Sequence, residues 1–63
     1  MQWNYVDVDG EPTLAKRVLV ETAEGSLLFA KRVNRPNGSG HHYIDDQSLP
    51  IRSPIIKWKD IKG

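Results

Sequence analysis

Basic and aromatic side chains alternate in two stretches of the sequence, around a glycine-rich segment and near residue 58. Small β domains bind single-stranded nucleic acid by stacking bases on aromatic rings beside cationic groups. We therefore predict a nucleic-acid or partner surface that contains Lys31, Arg32, Arg35, His41, Tyr43, Lys57, Trp58 and Lys59. The alternative is that Trp3 and Trp58 belong to the core, because so short a chain needs its aromatic residues inside.

Residues 7–11 (DVDGE) place acidic residues at alternate positions beside a glycine, as calcium loops do. An EF-hand loop needs its Gly at position 6 and a Glu at position 12, whereas here Gly10 falls at position 4 and Val18 at position 12. The calcium interpretation therefore fails, and a polar turn at the end of a strand is expected instead.

The HHYIDD segment (41–46) holds the densest set of metal-type ligands. Adjacent residues of a strand point to opposite faces, so the two histidines are poorly placed to bind one ion. We expect the end of a solvated loop here, with neither a metal nor another cofactor.

Catalytic motifs are absent from the sequence. No serine lies in a Gly-x-Ser-x-Gly elbow, and the NGSG segment (37–40) lacks the Lys-Ser/Thr of a phosphate-binding loop. A chain of 63 residues also has little room for both a packed core and a substrate pocket. We predict that the protein is not an enzyme.

The composition predicts one small folded domain over residues 1–63. Hydrophobic residues make up 38% of the chain and cysteine is absent, so packing or a partner subunit must stabilise it, as a monomer or a homodimer. Nine basic and eight acidic residues nearly cancel, with −3 over residues 1–24 and +4 over residues 25–63. No apolar run approaches the roughly 20 residues of a membrane span, and no signal peptide is visible, so we expect a cytoplasmic protein without membrane contact.

Alternating apolar residues predict short strands separated by turns. We place the strands at 3–8, 16–22, 27–33, 41–44 and 55–61, with a hairpin between the second and third, an exposed loop at 34–40 and a turn at 45–50. The expected fold is mainly β, a small antiparallel meander or an SH3-like or OB-like barrel of four to five short strands. The predicted core consists of Val6, Val8, Val18, Val20, Leu27, Phe29, Ile56 and Trp58.

Several landmarks follow one another along the chain: Trp3, then Pro12 before the Val-Leu-Val stretch (18–20), Leu-Phe-Ala (28–30), and Ile-Ile-Lys-Trp (55–58) close to the end. Their order resembles that in a group of short proteins of unknown function that are encoded by tailed phages and prophages. The resemblance covers most of the chain and implies a bacterial or phage origin and an accessory role.

Two functions are expected from these observations. The first is a non-enzymatic module that binds a protein partner, in keeping with a β scaffold whose strand edges could accept another strand. The alternative is a small β domain that binds single-stranded nucleic acid weakly, with an affinity that falls as salt rises.

Overall fold

One sheet of five antiparallel strands organises the chain in the computed structural model, which describes residues 3–61. The elements are β1 (Asn4–Tyr5), α1 (Val6–Asp9), β2 (Arg17–Thr22), β3 (Leu27–Asn34), β4 (His41–Asp45) and β5 (Ile55–Asp60). The strand order is β1-β5-β2-β3-β4, so β2, β3 and β4 form a meander and β5 returns to lie between β1 and β2. The prediction of a mainly β fold with short antiparallel strands is confirmed, as an open sheet that is not closed into a barrel.

The hairpin of β2 and β3 is confirmed within one residue at each end. Thr22 and Ser26 close its loop, since the amide of Thr22 donates to the carbonyl of Ser26 over 3.0 Å. Gly25 has φ +87°, which a side chain would disfavour. This loop sets the register of the hairpin, in which Val18 lies opposite Ala30 and Val20 opposite Leu28.

The core lies on one face of the sheet, which we call the inner face. Val18, Val20 and Ala30 are almost fully buried there, and five partly buried side chains pack against them: Leu28, Tyr43, Ile51, Ile55 and Trp58. The predicted core positions Val18, Val20 and Trp58 are confirmed. The opposite, outer face carries the alternate residues of each strand.

Three other predicted core positions are wrong, two because β3 has the opposite phase and one because of a bulge in β5. Leu27 is 58% exposed and Phe29 is 40% exposed, since the hairpin register turns Leu28 and Ala30 inward instead. A bulge in β5 displaces Ile56, because Glu21 pairs with Lys57 while the next residue of β2 pairs with Ile55. Ile55 therefore packs on the core and Ile56 is exposed.

The predicted first strand is also too long. Only Asn4 and Tyr5 pair with β5, and the chain then turns into the four-residue α1. The Asp9 carboxylate accepts a hydrogen bond from the Tyr5 amide over 3.0 Å, which satisfies an amide at the start of this turn. The predicted core position Val8 is consequently wrong, because it lies in α1 and is 82% exposed, whereas Val6 is partly buried.

The two edges of the sheet are short. β1 has two residues, and the edge of β4 is partly covered by the segment before β5, since Ile51 donates to the carbonyl of Tyr43 over 2.8 Å. The predicted turn at 45–50 is confirmed, with the Asp45 carboxylate accepting from the amides of Gln47 and Leu49. The loop that connects β3 to β4 is exposed, as predicted. A partner strand therefore has little free edge to pair with.

Candidate binding surface

The outer face of the sheet brings basic, aromatic and aliphatic side chains together. Residues paired across an antiparallel sheet lie on the same face, so the registers identify its members. They are Tyr5, Arg17, Leu19, Glu21, Leu27, Phe29, Lys31, Val33, His42, Ile44, Lys57 and Lys59, and Trp3 joins them because the ammonium groups of Lys57 and Lys59 lie over its ring. Several of them remain open to solvent, including Tyr5 at 47% exposure.

At one side of this face lies a group that we call the aromatic corner: Trp3, Tyr5, Lys57 and Lys59. The ammonium of Lys57 is 4.8 Å from the ring centre of Trp3 and 5.5 Å from that of Tyr5. The ammonium of Lys59 is also 4.8 Å from the Trp3 ring. Both ammonium groups therefore lie over the Trp3 ring, and that of Lys57 also lies over the Tyr5 ring, in cation–π contacts.

The middle of the outer face carries an apolar patch formed by Leu19, Leu27, Phe29 and Ile44. Leu19 lies opposite Phe29, and the other two occupy neighbouring positions of the same face. These four residues belong to three adjacent strands, β2, β3 and β4. The patch is therefore continuous across the centre of the sheet.

An arginine and an aspartate border the apolar patch. The guanidinium of Arg17 lies 4.2 Å from the Phe29 ring centre and donates two hydrogen bonds, of 2.9 and 2.6 Å, to the Asp46 carboxylate. These bonds raise the pKa of Arg17 and hold the pKa of Asp46 below its usual value. Both groups stay charged at neutral pH, and the pair fixes the guanidinium over the ring.

Charge differs between the two sides of the sheet. Among residues 3–61 the outer face carries four lysines and arginines, of which Arg17 is paired with Asp46 and Lys57 lies 3.7 Å from the carboxylate of Glu21. The acidic α1 segment is followed by Gly10, which lies on the inner side, where its carbonyl accepts a hydrogen bond from the Trp58 indole. The outer face is thus mildly basic.

The predicted site residues lie in three different places. Lys31, Lys57 and Lys59 lie on the outer face, and Arg35 lies in the loop after β3. Arg32, His41, Tyr43 and Trp58 occupy inner-face positions, because Arg32 pairs with Tyr43 and Trp58 pairs with Val20. The eight residues therefore do not form one surface.

Arg32 is a structural residue of the inner side. Its Nε donates to the carbonyl of the buried Pro12 over 3.0 Å, and its Nη1 lies 3.2 Å from Glu11 and 3.3 Å from His41 Nδ1. These contacts fasten the connection before β2 to β3 and β4. Only 17% of the Arg32 side chain is exposed, so little of it is available to a partner.

Tyr43 lies next to Arg32 with its hydroxyl buried. Among residues 3–61 that hydroxyl has no hydrogen-bond partner. Burial raises the pKa of Tyr43 to about 12, with a further increase from the charge of Glu11 and an opposing effect of Arg32. The phenol therefore stays neutral at physiological pH.

Trp58 is a core residue rather than a stacking platform. It packs against the cluster of Val18, Val20 and Ala30, and its indole Nε1 donates to the carbonyl of Gly10 over 2.9 Å. The aromatic residues beside the lysines of β5 are instead Trp3, which is partly buried, and Tyr5, which is exposed, and the sequence prediction leaves both out. Their spacing of two residues, like that of Lys57 and Lys59, indicates a shared face but not that the two pairs are neighbours.

A depression of about 420 Å³ lies beside the loop after β3 and is lined by Asn34, Gly38, Gly40 and His41. His41 is the one ionisable side chain among these four lining residues. Within residues 3–61, no three His, Asp or Glu side chains come together as metal ligands. The outer face is therefore the feature of the described chain that is best suited to binding.

No protein-family model, curated protein sequence or solved structure matches the chain. In residues 3–61 there is no helix long and apolar enough to span a membrane. The outer face is accordingly the basis for a functional proposal.

Proposed function

We propose that this protein is a non-enzymatic interaction module that binds a protein partner through the outer face of its sheet. The observation that carries the proposal is the apolar patch, in which Leu27 is 58% and Phe29 is 40% exposed. Full burial of such a side chain is worth roughly 1.5 to 3 kcal/mol. Because Leu27 and Phe29 are about half exposed, covering each of them contributes about half of this value to the binding free energy. The resemblance to phage proteins supports an accessory role in the bacterial cytoplasm.

The arrangement of charge supports a protein ligand for this patch. Arg17 is bound to Asp46 at its border, and Lys57 lies near Glu21, so both acids of this face already have basic neighbours. Protein interfaces commonly have an apolar centre and a polar rim, with aromatic residues and arginine enriched. Phe29 in the apolar patch and Arg17 over its ring are an aromatic residue and an arginine of this kind.

The partner docks on the face of the sheet in this proposal, not on its edge. β1 offers two residues for pairing, and the edge of β4 is partly covered at Tyr43 by Ile51. Addition of a partner strand needs a row of free backbone groups, which these short edges do not provide. Side chains of the face must then supply the contact.

A site-specific crosslinking experiment tests the proposal. A photoreactive phenylalanine derivative replaces Phe29 in one variant and Val8 in the control, because Val8 is 82% exposed but lies in α1 and outside the outer face. In bacterial lysate we expect one discrete protein adduct from position 29 and none of that mass from position 8. Excess wild-type protein should suppress this adduct, and excess Leu27→Asp protein should not.

Three outcomes would contradict the proposal. They are the same adducts from both positions, no adduct from position 29, or equal competition by wild type and Leu27→Asp. Circular dichroism of each variant checks that the sheet is retained, so a loss of binding is not confused with unfolding.

A further inference from the structure

We propose that the aromatic corner is a binding site for single-stranded nucleic acid. The inference goes beyond the proposed function, because it concerns a different ligand and the β1–β5 side of the outer face. It depends on Trp3, Tyr5, Lys57 and Lys59, none of which belongs to the apolar patch.

The geometry of two paired strands creates this site. Trp3 and Tyr5 are two residues apart and Tyr5 pairs with Lys57, so both rings lie on one face, beside two lysines with the same spacing. Residues i and i+2 of a strand lie about 7 Å apart, so the two rings are spaced to take one base each. The ammonium groups lie over these rings at 4.8, 5.5 and 4.8 Å, so a base that stacks on a ring displaces them towards the phosphates of the ligand.

The chemistry of the corner matches the two parts of a nucleotide. Aromatic rings stack on bases irrespective of sequence, and lysine ammonium groups bind the phosphates that connect them. The bases of a duplex are stacked on each other and cannot cover a protein ring, so the corner selects single strands. An acidic peptide would use the ammonium groups but leave both rings without a stacking partner.

The number of cations sets the strength and the salt dependence of binding. When the logarithm of the association constant is plotted against the logarithm of salt concentration, one neutralised phosphate gives a slope of about −0.7 and two give about −1.4. The Lys57 side chain is only 20% exposed and its ammonium lies 3.7 Å from Glu21, so Lys59 is the principal phosphate ligand and the expected slope lies between these values. We therefore expect weak binding, best observed at low salt.

Fluorescence of Trp3 gives a direct test with a short single-stranded oligonucleotide of mixed sequence. In a Trp58→Phe background Trp3 is the one remaining tryptophan, and stacking of a base should quench its emission as the oligonucleotide is added. The salt slope comes from the same titration at several salt concentrations. Fluorescence anisotropy of a labelled oligonucleotide, with both tryptophans intact, gives the dissociation constant independently.

Matched lysine variants assign the binding to the corner. Lys59→Gln and Lys31→Gln remove the same charge from the same face, but Lys31 lies on β3, away from Trp3. We expect Lys59→Gln to weaken binding severalfold more than Lys31→Gln, and Trp3→Ala to weaken it about tenfold, in line with the loss of one stacked base. Circular dichroism confirms that each variant is folded.

Four results would overturn the proposal: no binding at low salt, unquenched Trp3 emission, equal effects of the two lysine variants, or equal binding of duplex and single strand. Equally tight binding of polyglutamate would also overturn it, because the corner would then select charge alone. The crosslinking result from position 29 does not depend on any of these outcomes, so the two proposals can fail separately.

Discussion

The hydroxyl of Tyr43 is expected to weaken the fold, and the Tyr43→Phe variant should therefore be more stable than the wild type. The oxygen is buried and has no hydrogen-bond partner among residues 3–61, and its surroundings raise the pKa of Tyr43 to about 12. An unpaired buried polar group costs about 1–3 kcal/mol. Because the ring is only partly buried, we expect a gain near 1 kcal/mol in the free energy of unfolding. For a domain of this size that corresponds to an increase in Tm of roughly 4–8 °C.

Urea denaturation followed by tryptophan fluorescence measures this gain, with Tyr5→Phe as the matched control. Tyr5 is 47% exposed, so loss of its hydroxyl should change the free energy of unfolding by less than about 0.5 kcal/mol. High pH gives a second measurement. Because the pKa of Tyr43 is raised in the folded state, the unfolded chain ionises first, and stability falls as the pH rises from about 10, the unfolded value, towards about 12.

The stability of the wild type should therefore fall more steeply over this pH range than that of Tyr43→Phe. If Tyr43→Phe proves less stable than the wild type by about 1 kcal/mol, the hydroxyl has a partner in solution and the reasoning is wrong.

Two further predictions concern the core and the outer face. Val20→Ala removes two methyl groups from a fully buried position of the central strand, and should lower the free energy of unfolding in urea by about 2 kcal/mol; an unchanged midpoint would contradict the assigned core. Asp46→Asn should lower Tm less than Val20→Ala does, because both members of the Arg17 pair are exposed. The hydrogen bonds from Arg17 lower the pKa of Asp46, so the pair stabilises the fold above about pH 4 and this stabilisation is lost as the pH falls further. A difference in Tm between the wild type and Asp46→Asn that persists at about pH 2 would contradict this assignment.

The sequence predicts the strands better than the direction in which their side chains point. Alternation identifies Val18 and Val20 as core residues, because the charged Arg17 and Glu21 mark the opposite phase of β2, to which Leu19 also belongs. Residues 27–30 (LLFA) are all apolar, so both phases of β3 fit the pattern equally well. The register of the hairpin decides between them, and it depends on the hydrogen bonds of the loop at residues 23–26.

A similar ambiguity hides the bulge at Ile56. Ile55 and Ile56 are identical residue types, so no local pattern indicates which of them faces the core. The shift in pairing at Glu21 and Thr22 arises from contacts with a strand more than thirty residues away. Local periodicity in the sequence cannot predict such a shift, because it depends on pairing with a distant strand.

The aromatic corner is missed for a topological reason. Tyr5 and Lys57 become neighbours only because β5 lies between β1 and β2, and sequence spacing does not reveal that order. The basic cluster is divided for a local reason, since Lys31 and Arg32 are adjacent residues of β3 and therefore lie on opposite faces.

The position of β5 also governs the order in which this sheet can be assembled during synthesis. The β2–β3–β4 meander forms from neighbouring segments, whereas β1 has no partner until β5 has left the ribosome about 50 residues later. Until then one edge of β2 is unpaired, because β5 is its neighbour on that side. Insertion of β5 is therefore the step that completes the sheet, and a released chain truncated before residue 55 would expose the edge of β2 to pairing with other chains.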